Sequence, residues 1–395
     1  MMKQLNISDN HCNVTPPKGA IILGGHIQAY GIIRQLGEIG IMSIVIDYVH
    51  FNIAKYSKYC QSSYVVPYNS ILSYLLNLAK DEKYYKWLII PTDDYYVRII
   101  SKNYANLIQY FNLLTDRWEI VSVFFNKCKT YPWVDKLGIP IPKTYYPKSL
   151  EEVESLHSLI MFPCIIKPAI MKDFYNFFGS KVLVCNQYDE LKNKYQKAIR
   201  QIKAEELMIQ EIVPGSSENQ YSVGLFSVEG KIYNYIVARR KRQHPPLFGN
   251  ATTYAETVNI PILLQYAIQI IDEIKFTGVC EIEFKYDKRS NEYKFLEVNP
   301  RFWKWHLITQ VAGVPLLKSV ISYYYTGKAI ESKEYNKASW QDIITDIPTI
   351  LNYRSKGLYV KPQKNRRINA VANLKDPKPF FMQLLHLPYL YKTRR

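Results

Sequence analysis

Residues 19–48, GAIILGGHIQAYGIIRQLGEIGIMSIVIDY, constrain the fold more than any other stretch. Ile21, Ile22 and Leu23 read as a short buried strand, and Gly24 and Gly25 as a turn. A helix follows over roughly Gln28 to Ile39, then a second strand, SIVID, ending at Asp47. Two short apolar strands joined through an amphipathic helix pair in parallel, and a parallel sheet is covered on both faces. The unit therefore opens an α/β, doubly wound domain of the nucleotide-binding type. Its turn reads GGHIQAYG rather than GxGxxG, so the dinucleotide fingerprint is missing. A further parallel strand spans Trp87 to Ile90 and delivers Thr92, Asp93 and Asp94 to its carboxyl end. Open α/β sheets bind ligands at that end, although Asp93 equally suits the N-cap of a helix over YYVRIISKN.

The chain's 395 residues are enough for two or three packed domains. A boundary is expected near residue 120, before the short helix and Pro-punctuated segment NKCKTYPWVDKLGIPIPKTYY. Beyond it, FPCIIKPAI and ELMIQEIVPG read as strands. SVGLFSVEGKIYNYIVARRKR and VCEIEFKYDKRSNEYKFLEVNPR read as β-hairpins, turning at Glu229-Gly230 and through residues 287–292. PILLQYAIQIIDEIKFTG reads as an amphipathic helix capped by Gly278, and the apolar window 307–325 as a core helix. The polar start MMKQLNISDNHCNVTPPKG and the short run AIILGG fit neither a signal core nor a membrane span. The expected location is the cytoplasm. Cys12, Cys60, Cys128, Cys164, Cys185 and Cys280 have no metal-ligand spacing and read as small hydrophobes of a reducing compartment.

Several of these strands carry one polar residue where an apolar one is expected. Side chains alternate faces along a strand, so in KFLEVNPRFW Phe295, Glu297 and Asn299 would share one face. A buried lysine such as Lys167 costs several kcal/mol unless it meets an anion. The series runs Lys127 and Lys167, then Glu211 and Glu218, then Glu283, Glu297 and Asn299. Cations first and oxygen ligands last suit a nucleoside triphosphate with magnesium: ammonium groups neutralise phosphate, and hard Mg²⁺ takes carboxylate and carboxamide oxygens. NKCK offers Lys129 beside Lys127, so the helix lysine that serves is open.

In this order, NKCKTYPWVDKLGIPIPKT, FPCIIKPA, MIQEIVPGSSE and the GVCEIEF…FLEVNPR pair make residues 20–327 resemble an ATP-grasp enzyme. This is the superfamily of D-alanine–D-alanine ligase, biotin carboxylase and carbamoyl-phosphate synthetase, and the likeness is nearest to carboxylate–amine ligases of the D-aspartate ligase type. The resemblance implies an α/β and α+β architecture. Residues 1–18 would be a tail, 19–120 a Rossmann-like domain, and 121–327 a two-lobed ATP-grasp domain with antiparallel sheets. Its small lobe would cover about 135–212, its large lobe about 213–327, and 328–395 would be a basic extension. It implies ATP contacts from Lys127 and Lys167, and an interdomain segment at Gln210, Glu211, Ile212 and Val213 whose backbone reads the adenine edge. Glu218 would hold the ribose, and Glu283, Glu297 and Asn299 one or two Mg²⁺ ions, with Mn²⁺ as a substitute. Arg301 would steady the transferred phosphoryl group. The activity implied is amide formation through an acyl phosphate, from small-molecule carboxylate and amine substrates, with ATP giving ADP and phosphate. Relatives of this kind are often homodimers. The segment AIMKDFYNFFGSK departs from the pattern, because it offers only Gly179 where a Gly-rich flap is usual.

ARRKRQHPPLFGNATTYAET places four cations in a row after a strand. On alternating faces Arg240 and Arg242 point one way and Arg239 and Lys241 the other, so one pair can enter a cleft and hold a carboxylate or phosphate. An exposed edge-strand cluster is the other reading. Gly24, Gly25, Asp93 and Arg239 are candidates for the substrate end. The net charge is +17, and residues 328–395 hold 14 Lys and Arg against 5 Asp and Glu. That asymmetry suits an anionic or phosphorylated substrate, or peripheral contact with the inner face of a membrane. Nucleic-acid binding through KPQKNRR finds no recognition motif. A catalytically silent ATP-binding protein would be expected to lose metal ligands, and all three stand in the sequence.

Overall fold

The computed structural model describes residues 19–169, 171–245, 251–358 and 361–387. The expected tail, Cys12, Ile170, residues 246–250 and the last eight residues lie outside them. The first sheet holds β1 (Gly19–Leu23), β2 (Met42–Asp47), β3 (Cys60–Val65), β4 (Leu88–Pro91) and β5 (Asn112–Leu113). All pair in parallel, in the order β3-β2-β1-β4-β5. Period-two alternation explains why β1 has no polar face: Ala20 and Ile22 enter one core, and Ile21 and Leu23 the other. The strand order reverses between β1 and β4, which brings Gly24-Gly25 and Thr92-Asp93 together at the carboxyl edge.

The small lobe is an antiparallel sheet of β6 (Thr144–Tyr145), β7 (Cys164–Pro168), β8 (Leu183–Cys185) and β9 (Leu207–Glu211), ordered β6-β9-β7-β8. Its core is its own, built from residues such as Val153, Ile166, Leu191 and Tyr195. The large sheet holds β10 (Gln220–Val228), β11 (Lys231–His244), β12 (Ala251–Thr257), β13 (Gly278–Asp287), β14 (Glu292–Asn299), β15 (Ala338–Gln341) and β16 (Arg366–Asn369). Its order is β14-β13-β10-β11-β12-β15-β16. The basic segment after residue 327 is thus no appendage. β15 lies against β12, its Trp340 is fully buried, and Ala338, Trp340 and Val371 share one core with Ile22, Trp303 and Leu316.

Three local expectations are corrected. The helix Pro261–Ile274 ends at Lys275 in the left-handed region, and Gly278 instead begins β13. The window 307–325 holds two helices, Ile308–Ala312 and Leu316–Thr326, parted at Gly313 and Pro315. Phe295 does not share a face with Glu297. Glu283 pairs with Glu297 but Phe284 with Phe295, so Leu296 is bulged and Phe295 turns into the core beside Phe284. Among the described residues, no helix is long and apolar enough to cross a membrane.

Candidate active site

Beyond the bulge, β13 and β14 present a two-by-two grid. Glu283 lies opposite Glu297, and Glu281 opposite Asn299, all on one face. The Asn299 carboxamide donates to Glu283 Oε1 at 3.3 Å and to Glu281 Oε2 at 3.4 Å. Cations close the grid from outside. Lys127, at the start of the helix Lys127–Lys136, meets Glu297 Oε2 at 2.7 Å, and Arg240 Nη2 meets Glu283 Oε2 at 3.2 Å. Asn126 caps that helix through Cys128 N–H, which fixes where Lys127 leaves the backbone. Lys167 is buried in β7 and donates to the Tyr131 hydroxyl at 2.7 Å. Tyr131 in turn donates to the carbonyl of the bulged Leu296 at 2.8 Å. The bulge therefore both re-aims Glu297 and supplies the acceptor that orients the lysine's partner.

The charges follow from this packing. Lys127 holds the Glu297 carboxyl down at about 2. Burial alone would lower Lys127, but Glu297 more than reverses it. Lys167 is lowered by burial, with the Lys127 charge adding to the effect. Burial raises Glu283, with Arg240 pulling it back. Lys181, after Gly179, is lowered by burial and lies near enough for Glu297 and Glu283 to offset part of that. Arg301 donates Nε–H to Asp94 at 2.6 Å and Nη2–H to Asn299 Oδ1 at 3.4 Å, linking the grid to the first sheet.

Glu281, Tyr131 and Lys181 were not singled out from the sequence. CEIEF does signal Glu281, because Glu281 and Glu283 are two apart on one strand. The Glu281 carboxylate accepts from Trp305 Nε1 at 3.0 Å, and burial, then Glu283, raises it to about 8. The unfolded chain releases that proton near the ordinary Glu value of about 4.3. Between the two values the folded state binds more protons, so this group's contribution falls as pH rises. Glu281→Gln is expected to melt with wild type at pH 5 and a few degrees above it at pH 8, without divalent ions. Parallel melting at both pH values would mean that Glu281 is not held protonated.

At the other end of the cleft, Gln210 and Glu211 close β9. Gln210 donates to Thr144 Oγ1 at 2.7 Å, and the Glu211 carboxylate accepts from Lys294 at 2.5 Å and Arg289 at 2.9 Å. Glu211 thereby ties the small lobe to the β13–β14 hairpin, while the Gln210 bond stays within the small sheet. The backbone N–H and C=O groups of Ile212 and Val213, which bridge to the large sheet, take no partner among the described residues. Glu218 meets Lys241 at 2.6 Å, and Arg239 donates to its backbone carbonyl at 2.5 Å. Arg239 therefore stands by Glu218 and not at the first sheet's edge.

Four candidates, Arg242, Gly24, Gly25 and Asp93, are engaged within the protein. Arg242 does not enter the cleft with Arg240, because irregular register at Lys241 separates them. Its guanidinium holds Asp346 in two bonds, Nε–Oδ1 at 2.8 Å and Nη2–Oδ2 at 2.7 Å, with side chains 1% and 0% exposed. Gly24 N–H bonds Ile46 O and Gly25 N–H bonds Asp47 Oδ2, both at 2.8 Å, so both N–H groups are taken within the protein. These glycines are required by close approach. Gly24 has φ +93°, and a Cβ on Gly25 would overlap Asn52. Asp93 caps its helix through Tyr96 N–H at 3.1 Å, and burial raises it to about 6, with His26 and Arg301 pulling it back.

Among the described residues, no three His, Cys, Asp or Glu side chains form a ready metal cage. Within the grid, Glu283, Glu297 and Asn299 instead offer two carboxylates and a carboxamide beside ammonium groups, a donor set that fits a hard divalent ion sharing its shell with phosphates.

A family model described as "Carbamoyl-phosphate synthase L chain, ATP binding domain" matches residues 250–323, which include the grid. The chain is 24% identical over 321 residues to D-aspartate ligase of Enterococcus faecium, covering 76% of this chain and 75% of that one. It is 24% identical over 195 residues to the N-terminal section of the Methanopyrus kandleri carbamoyl phosphate synthase large chain, covering 47% of this chain but only 33% of that one. Among solved structures, N5-carboxyaminoimidazole synthetase from Staphylococcus aureus superposes with TM-score 0.65 at 12% identity, over 90% and 92% of the two chains. Biotin carboxylase from Campylobacter jejuni, in a β-γ-ATP complex, gives 0.64 at 17% identity, over 80% and 73%. At these identities the superpositions show a shared fold.

Proposed function

We propose that this chain is an ATP-grasp enzyme of the carboxylate–amine ligase type, as its similarity to the carbamoyl-phosphate synthase ATP-binding domain and to D-aspartate ligase supports, and that it joins an amino acid to an anionic acceptor. The observation that carries the reading is the opposed pair Glu283 and Glu297 with Asn299, closed by Lys127 and Arg240. Glu283, Glu297 and Asn299 would hold Mg²⁺, which when bound offsets phosphate charge. Lys127, now paired with Glu297, and Lys167 would bind the phosphates. The open backbone groups of Ile212 and Val213 suit the edge of a nucleobase, and Glu218 the ribose. A substrate carboxylate oxygen attacks the γ-phosphorus, ADP leaves, and an acyl phosphate forms. The amine then attacks the acyl carbon, phosphate departs with the C–O electron pair, and the amine's proton is released. Arg301, between Asn299 and Asp94, is positioned to steady the acyl phosphate. Arg240 holds Glu283 and borders the carboxylate.

Likeness to D-aspartate ligase favours an amino acid as one partner, and the excess of cations favours an anionic, cell-envelope-type acceptor as the other. The test incubates the protein with Mg-ATP, amino acids and anionic metabolites. ADP and a product lighter by one water are expected. AMP in place of ADP would break the acyl-phosphate reading. Lys167→Met is expected to weaken ATP binding by about ten- to a hundredfold, read as loss of most of the ATP-induced rise in melting temperature. An undiminished rise would remove Lys167 from the phosphate site.

A further inference from the structure

The helix Lys378–Leu385 is built inside out. Its spacing would normally bury an apolar stripe at i, i+3 and i+4. Here Phe381, Leu384 and Leu385 form that stripe on the outside, with Phe381 59% and Leu385 70% exposed. The buried side chains are Pro379 and Gln383. This is a firmly seated helix. Just before it, the carboxylate of buried Asp376 accepts from Ser57 Oγ at 2.5 Å and from Lys58 N–H at 3.1 Å, and its carbonyl accepts from the Tyr30 hydroxyl at 3.3 Å. Just after it, the His386 ring lies between Phe51 and Tyr56, with centroids at 4.9 and 5.8 Å. Phe51 adds exposed apolar surface on the same side of that contact, and Leu374 is fully exposed.

The charges around the stripe share one sign. Lys375 and Lys378 belong to the helix and its approach. Lys55 and Lys58 belong to the turn on which it sits, with Lys55 and Lys378 both over the Tyr56 ring. The one carboxylate within this stretch, Asp376, is consumed by the hydrogen bonds above. An apolar stripe rimmed by lysines matches the boundary between acyl chains and negatively charged headgroups. We propose that this helix face, with Phe51 and the four lysines, docks on an anionic lipid surface. The inference does not depend on the ligase reading.

The test is co-sedimentation of the full chain with vesicles. Binding to phosphatidylglycerol-rich vesicles, little to phosphatidylcholine vesicles, and weakening with salt are expected. Loss of each lysine charge should lower partition about fivefold, so Lys375→Gln with Lys378→Gln lowers it about twenty-five-fold. Phe381→Ser with Leu385→Ser should lower it by at least about tenfold. None of these residues is in the cleft, so an unchanged circular-dichroism spectrum and melting temperature serve as the folding control. Three results would overturn the proposal. One is absence of binding to the anionic vesicles. Another is undiminished binding by the serine variant, which would assign the interaction to other cations such as those of LPYLYKTRR. The third is a lipid-independent dimer that the serine variant dissolves, which would make a second copy the occupant.

Discussion

Glu297→Gln is expected to lower ADP formation to below about a thousandth of wild type, with the melting temperature changed by about two degrees or less. The two halves have different causes. Glu297 is the one grid carboxylate held firmly ionised, at about 2, by Lys127. Gln keeps the shape but removes the charge that a hard cation requires. The ion pair it breaks is partly exposed, Lys127 at 19% and Glu297 at 36%, so solvent screens most of its worth to folding. The pair's contribution to stability is present above the ordinary Glu range and lost as pH falls through about 2. Wild type and variant should therefore melt in parallel between about pH 5 and 9. Turnover within tenfold of wild type would sink the reading of β13 and β14 as a metal-binding wall.

Asp346→Ala is expected to cost about 3–5 kcal/mol of stability, measured by denaturant unfolding. It removes the carboxylate from a guanidinium that is 1% exposed, and strips Thr253 and Gln341 of their acceptor. Replacing both partners with apolar side chains, Arg242→Met with Asp346→Leu, should recover most of the loss, because no buried charge is then left uncompensated. The double variant should also keep its affinity for substrates. A large rise in KM with restored stability would return Arg242 to the active site.

What could be read from the chain and what could not divide along contact distance. The βαβ unit, the strand before Asp93, both hairpins and the alternation that sets Glu283, Glu297 and Asn299 are encoded within windows of a dozen or so residues. The bulge at Leu296 was not, because it depends on which residues of β13 face β14, and a one-residue slip reverses every face. Arg242 looked like a cleft residue because its partner stands 104 positions away in a segment that reads as an appendage. Glu281 and Tyr131 were missed for opposite reasons. Glu281 lay beside a better match to a known pattern. Tyr131 acts only through Lys167 and a backbone carbonyl that no pattern contains.

The shared core that joins the first sheet to the large one also decides what in this molecule can move. Ile22, Trp303, Leu316 and Trp340 pack together across both sheets, whereas the small lobe keeps a core of its own and meets the rest through Met208 and polar links such as Lys294 to Glu211 and Lys167 to Tyr131. The cleft is therefore expected to behave as a vice with one fixed jaw: Glu283, Glu297, Arg301 and the edge that carries Asp93 would keep their spacing, while Lys167 and the segment with Lys181, which follows the helix Met171–Phe178, would be the parts free to shift. On that expectation the rigid part would set acceptor specificity, and the links that hold the small lobe would set how fast the cleft opens.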